Sequence, residues 1–230
     1  MSNTENTLFE QGLQQGLQDL GLQLSSSQIA QLCQYAGLIS KWNKVYNLTA
    51  LRAQESILSH HLLDCLAVIA PLRNWAKEQG IQAPTILDVG SGAGLPGLVI
   101  AICQPDWQIH TIDTVGKKTA FMQQAAAQLQ LKNTAVHHAR VEELAKSIAQ
   151  RFDLITSRAF SSLSDFLSLT TALLAPAGIW MAMKGKAPTP AEVAELEDLA
   201  SGFHVKQVQA LAVPQVQAER CLVWIEAKAP

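Results

Sequence analysis

The stretch Thr85-Ile86-Leu87-Asp88-Val89-Gly90-Ser91-Gly92-Ala93-Gly94-Leu95-Pro96-Gly97 constrains this chain more than any other. An aliphatic strand-like run leads into a glycine-rich turn, and Pro96 is pre-set for the first turn of the apolar helical run beyond. Glycines tolerate positive φ and leave the backbone bare, so a nucleotide-like ligand can lie against such a turn. Gly92, Gly94 and Gly97 also fit the G-x-G-x-x-G spacing of dinucleotide-binding turns. The turn alone therefore predicts a cofactor site without choosing the cofactor.

Asp88 bears on that choice. A pyrophosphate needs helix N-terminal amides and no nearby anion, and a carboxylate two residues before Gly90 would repel it. S-adenosylmethionine has no phosphate, and its ammonium and sulfonium are cationic, so an acid at the end of the first strand attracts it directly or through water. A second strand-end acid, Asp113, follows about 20 residues later, the spacing expected of a carboxylate on ribose hydroxyls. Both cofactors carry a ribose, so Asp113 fits either. Asp88, with the tighter spacing of Gly90, Gly92 and Gly94, favours S-adenosylmethionine over a nicotinamide.

At 230 residues, 48% hydrophobic and 16% charged, the chain can bury one globular core with a small appended lobe. Residues 1–7 are polar, lack the features of a secretory signal and read as a frayed end, which points to a cytoplasmic protein. No apolar run in the sequence is read as reaching the roughly 18 residues of a membrane span, the longest candidate lying near 95–103. Cys33, Cys65, Cys103 and Cys221 lie far apart, which argues against zinc and against a disulfide framework and suggests buried, reduced thiols. A formal charge of −2 counts against tight unaided binding to bare nucleic acid. Any such partner must meet a local patch, for which Lys117, Lys118, Arg140, Arg158, Lys184 and Lys186 are candidates; solvated surface charge is the alternative.

From about Leu8 to Lys77 apolar residues recur at threes and fours, predicting a helical lobe over residues 1–78. Beyond it, residues 79–230 alternate short β-rich and helical runs. Strands are expected near 85–89, 107–113, 134–138, 152–157, 178–183, 204–211 and 221–227, and helices near 95–103, 116–130, 141–149, 162–174 and 190–200. The last two strands lack an intervening helix and should form a hairpin, making one strand antiparallel. The expected fold is α/β: a Rossmann-like class I methyltransferase with a seven-stranded, mostly parallel sheet and an N-terminal helical lobe.

Four further segments stand out: Trp42-Asn43-Lys44-Val45-Tyr46-Asn47-Leu48-Thr49, Arg140-Val141-Glu142-Glu143, Thr156-Ser157-Arg158-Ala159-Phe160 and Met183-Lys184-Gly185-Lys186. With the glycine turn and Glu219-Arg220, they resemble the glucose-inhibited division protein B family, the bacterial 16S ribosomal RNA guanine-N7 methyltransferases. The resemblance runs in order from about Leu38 to the C-terminus. It implies a cofactor, S-adenosyl-L-methionine, held by Asp88, Gly90, Ser91, Gly92, Gly94, Leu95, Asp113, Thr114, Arg140, Val141, Glu142 and Arg158. It also implies an RNA substrate met by Lys44, Arg158, Lys184, Lys186 and Arg220, with Arg158 as the catalytic candidate. The implied partner is 16S rRNA in the small subunit or its assembly intermediate, acted on by a monomer without metal or membrane.

Residue chemistry agrees by what is missing. The chain has Ser157-Arg158-Ala159-Phe160 where amine methylation commonly uses an Asn/Asp-Pro-Pro-aromatic motif, and no cysteine nucleophile falls near the turn. Guanine N7 needs no deprotonation, so no general base is required. Arg158, at the end of the fourth strand, suits a guanine or phosphate contact, or an ion pair with an acid of the same rim. Lys41, Trp42, Lys44 and Tyr46 interleave cations with aromatics as RNA-stacking surfaces do, although Trp42 suits packing equally. Asn43, Asn47 and Thr49 suit helix capping and ordering of an entrance loop, and His61 and Asp64, one helical turn apart, could pair. A methyltransferase on another acceptor, a nicotinamide oxidoreductase and a non-catalytic cofactor-binding module remain open on the residues alone.

Overall fold

The structure is a computed structural model that describes residues 3–46, 48–49, 53–158, 160, 162–198 and 202–228. Asn47 and Ala159, members of two of the motifs above, lie outside the described residues. The first helix, α1, spans Asn3–Asp19, so the described part of the expected frayed end is helical. Its packing follows from Phe9, Leu13 and Leu17, buried at i, i+4 and i+8. α2 (Ser26–Tyr46) follows, then α3 (Gln54–Ile57), a π-helical turn (Leu58–Leu63), α4 (Asp64–Leu66) and α5 (Ile69–Glu78).

Beyond this lobe the chain alternates β1 (Thr85–Val89), α6 (Gly97–Cys103), β2 (Gln108–Asp113), α7 (Gly116–Gln128), β3 (Thr134–His138), α8 (Val141–Ser147) and β4 (Phe152–Ser157). α9 (Leu163–Thr170), a 3₁₀ turn (Thr171–Leu173), β5 (Leu174–Lys184), α10 (Pro190–Asp198), β6 (Phe203–Ala210) and β7 (Cys221–Ala227) complete it. The expected helix at 162–174 is cut short because β5 already begins at Leu174. Strand order is β3-β2-β1-β4-β5-β7-β6, with β1 to β5 parallel and β7 antiparallel to both neighbours. The order reverses between β1 and β4, and ligands of open α/β sheets bind in the crevice at that point.

Successive strand residues face opposite sides of the sheet. Ile86, Leu154, Met181 and Leu222 join a cluster with the N-terminal lobe, α6 and α7. Leu87, Ile155, Trp180 and Val223 join a second cluster with α8, α9 and α10. The boundary expected at 78/79 falls at the end of α5, and the first apolar cluster runs across it from Phe9 to Trp224. Polar contacts reinforce that packing: Gln28 Nε2 donates to the carbonyls of Ile102 and Cys103 at 2.9 and 3.2 Å, closing the C-terminus of α6.

The helical stretch Glu55–Glu78 has the length and hydropathy of a membrane span, which the residue pattern had not flagged, but 67% of its most apolar window is buried inside the protein. Its apolarity is that of a core helix. The four thiols are unpaired, and Cys65, Cys103 and Cys221 are buried. Among the described residues no group of three or more His, Cys, Asp or Glu side chains is placed to hold a metal ion.

Candidate cofactor and substrate site

Gly90, Gly92 and Gly94 adopt φ of +69°, +60° and +83°, the left-handed region that side chains disfavour. A Cβ at Gly90 would meet nothing within 4 Å, so bare backbone faces open space there. That space is a cleft of about 560 Å³ lined by Gly90, Asp113, Thr114, Arg140, Val141 and Glu142, six of the expected cofactor residues. Phe160, Ala139 and Leu169 add apolar wall. The glycine strip, the strand-end acid and the apolar wall have the chemistry to fit an adenosyl group.

Four other expected cofactor residues lie deeper. Asp88, Ser91, Gly94 and Leu95 are buried beneath the turn. Ser91 Oγ donates to the Asp88 carbonyl at 2.7 Å and accepts from Ile112 N at 3.2 Å, tying the turn to β2. Asp88, 0% exposed, is no surface attractor of cations: its Oδ2 accepts from Gly97 N at 2.9 Å. A Cβ at Gly97 would stand 2.6 Å from Thr111 Cγ2 and 2.9 Å from Asp88 Oδ2, so only glycine lets α6 start here.

Asp88 Oδ1 is buried without a hydrogen-bond partner. Burial raises its pKa from 3.8 to about 6, against the opposing hydrogen bonds from Gly97 and Ser91. A folded-state value above the unfolded one means that stability from this group is present at low pH and lost as pH rises through about 6. Asp88→Asn, which retains an acceptor for Gly97 N, is therefore expected to raise stability at about pH 7.5 by on the order of 1–3 kcal/mol. The gain should fade towards about pH 4 in paired unfolding titrations, and a pH-independent gap would refute the cause.

Asp113 is also clamped. Its Oδ2 accepts from Gly92 N and its Oδ1 from Val115 N, both at 2.9 Å, and Lys118 Nζ stands 3.6 Å away. An ionised carboxylate has about four lone-pair sites, so these bonds leave capacity for a sugar hydroxyl. From the other side Tyr35, on α2, donates to the Ala93 carbonyl, bringing the N-terminal lobe onto the turn. Tyr35 carried no sequence signal, because it lies in an ordinary apolar helical face.

The basic residues do not stand free along one rim. Arg158 points away from the cleft to the lobe: its Nη1 donates to the His60 carbonyl at 3.0 Å and meets Asp64 Oδ2 at 3.4 Å. The acid it pairs with comes from the lobe and not from the sheet rim. Arg220 Nε donates to Asp64 Oδ1 at 2.9 Å, so Asp64 pairs with two arginines and not with His61. Lys184 Nζ lies 2.6 Å from Glu192 Oε1, within a capping box formed by Thr189 and Glu192. Lys186, Lys44 and Arg140 are exposed.

Trp42 packs, its ring 5.4 Å from Phe121, whereas Tyr46 lies tilted against it at 5.0 Å and is 45% exposed. Asn43 is buried and holds Thr49, accepting from its amide at 2.9 Å, in the segment after α2.

Solved structures share the fold. TrmN from Thermus thermophilus matches with a TM-score of 0.53 at 19% identity over 74% of this chain and 53% of that one. Precorrin-6y C5,15-methyltransferase from Geobacter metallireducens GS-15 matches at 0.52 and 13% identity, over 71% and 87%. Sequence relatives reach further. Ribosomal RNA small subunit methyltransferase G of Acidovorax sp. strain JS42 is 49% identical over 230 residues, 98% of each chain. Its namesake from Polaromonas sp. strain JS666 is 51% identical over 220 residues, 95% of this chain and 94% of that one. The family model GidB, rRNA small subunit methyltransferase G, matches residues 28–223. A turn, cleft and strand-end acid suited to an adenosyl group thus sit in a chain that belongs to the GidB family, and the protein is an S-adenosyl-L-methionine-dependent methyltransferase.

Proposed function

We propose that this protein transfers the methyl group of S-adenosyl-L-methionine to N7 of one guanine in 16S rRNA, within the small ribosomal subunit or its assembly intermediate. The observation that carries the reading is the Arg158–Asp64–Arg220 cluster between the lobe and the end of β4, the strand next to β1 where the strand order reverses. With Lys184 and Lys186 it gathers four basic side chains at the end of β4, β5 and the start of β7.

Bound in the cleft, the cofactor supplies an electrophilic methyl on a sulfonium. Guanine N7 brings a lone pair and no proton, so an acceptor held in line with that methyl would need no deprotonation by this chain. The chain's part is to hold the acceptor in line and to exclude water. Gly90 gives backbone access, Asp113 orients the sugar, and Val141 supports the base. Arg158 and Arg220, with Lys44, Lys184 and Lys186, meet RNA oxyanions. The Lys184–Glu192 pair is partly exposed, and such pairs exchange readily for a phosphate.

A formal charge of −2 suits recognition of a folded, protein-bearing particle better than naked RNA. The protein is read as a cytoplasmic monomer that needs no metal. Labelled S-adenosylmethionine should transfer its methyl to undermethylated small subunits, with N7-methylguanosine identified by mass spectrometry. Cofactor binding without that product would move the assignment to another acceptor or to a non-catalytic binding module.

A further inference from the structure

We propose that Asp64 is a positioning residue that holds Arg158 and Arg220 side by side as a two-armed seat for a phosphodiester of the RNA. The proposal rests on the reading of the substrate as ribosomal RNA.

Asp64 opens α4 directly after the π-helical turn and is only 4% exposed. Its two oxygens are divided between guanidiniums from distant parts of the chain: Arg220 Nε on Oδ1 at 2.9 Å and Arg158 Nη1 on Oδ2 at 3.4 Å. Arg158 follows β4, and Arg220 precedes β7, whose first residue, Cys221, pairs with Lys184 of β5. All three bases therefore stand at one end of the sheet, with the carboxylate arriving from the lobe above.

The charge count favours an anion. Two guanidiniums bond to one carboxylate, an excess of +1 within the bonded cluster, which the buried Asp88 carboxylate near Arg158 offsets in part. His61 contacts Arg158 through Nδ1 at 3.5 Å, but burial, with help from Arg158, lowers its pKa to about 4, so it adds no charge and removes none. The arginine side chains remain 24% and 25% exposed. Each guanidinium carries five N–H donors, more than the bonds to Asp64, His60 and Glu219 use. Like charges this close repel, and a carboxylate between them keeps both forks at one place. An oxyanion arriving from solvent then finds two donors already aligned, the geometry in which arginine binds phosphate best.

A plain tether between lobe and sheet would use the same contacts, so the test must separate the two. Asp64→Asn retains size while removing the charge that aligns the forks. Turnover on small subunits is expected to fall about tenfold or more. Cofactor affinity measured by calorimetry should be unchanged, and affinity for naked 16S rRNA unchanged or tighter, since the rim gains net positive charge. Arg220→Ala should lower turnover similarly and reduce the salt slope of RNA binding by about one. The double variant Asp64→Asn/Arg220→Ala should be little worse than either single one, because both disable one seat.

Additive losses with a falling Tm would make Asp64 a tether only. Weaker cofactor binding in Asp64→Asn would assign the seat to the cofactor's carboxylate, and wild-type turnover would remove Asp64 from the site. Should Asp64→Asn not fold, Arg220→Lys decides: it retains the charge but loses the Nε contact. Reduced turnover at an unchanged salt slope supports the seat, and normal turnover overturns it. Wild-type protein yielding no N7-methylguanosine would instead defeat the substrate reading itself.

Discussion

Arg158→Ala is expected to lower methyl transfer to small subunits by more than about tenfold, at least roughly 1.4 kcal/mol of transition-state stabilisation, while cofactor affinity stays nearly intact. The split follows from where the side chain goes. It leaves the end of β4 towards the lobe, bonding to the His60 carbonyl and Asp64, and is not part of the wall of the adenosyl cleft. Its removal takes one arm from the anion seat without touching Gly90, Asp113 or Val141. Asp64 retains Arg220, so no unpaired charge is stranded, and the stability loss should stay near the roughly 1–3 kcal/mol of a charged hydrogen bond. Single-turnover kinetics and calorimetry on the same preparation read the two effects separately. Unchanged turnover would take Arg158 out of the reaction.

Asp113→Ala should act the other way, weakening S-adenosylmethionine binding by about 10- to 100-fold before it affects chemistry at saturating cofactor. Two losses combine. The carboxylate no longer meets the ribose, and the amides of Gly92 and Val115, both 2.9 Å from it, lose the acceptor that ties the glycine turn to the end of β2. Asp113→Asn, which can still accept one of these bonds, should lose less. Normal cofactor affinity in the alanine variant would sink the ribose assignment and leave Asp113 as a loop anchor.

How much of the site could be read from residue order depended on how each group is used. Of the cleft residues, Gly90 and Asp113 were legible from the glycine turn and the strand-end spacing, and Thr114, Arg140, Val141 and Glu142 from the family resemblance. Asp88 was legible as important but not in its use: its carboxylate turns inward to the Gly97 amide, because the close approach of α6 to β1 leaves that amide nowhere else to bond. Tyr35 and Asp64 were not legible as parts of one site. Each lies in a helical run that looks like ordinary lobe, and their partners Ala93, Arg158 and Arg220 are 58, 94 and 156 residues away.

Residue order by itself determined the alternation of strands and helices after residue 79, the glycine turn with its positive φ, the terminal hairpin and the family. The family rests on its matching motifs, and the rest on local steric rules and on hydrophobic period, which act between neighbours in the chain. Only the tertiary structure decided that the lobe shares a core with the sheet, that Asp88 is buried, and that Arg158 and Arg220 meet on Asp64. Those outcomes depend on which surfaces exclude water from one another, and charges from opposite ends of a chain pair only after that exclusion has brought them together.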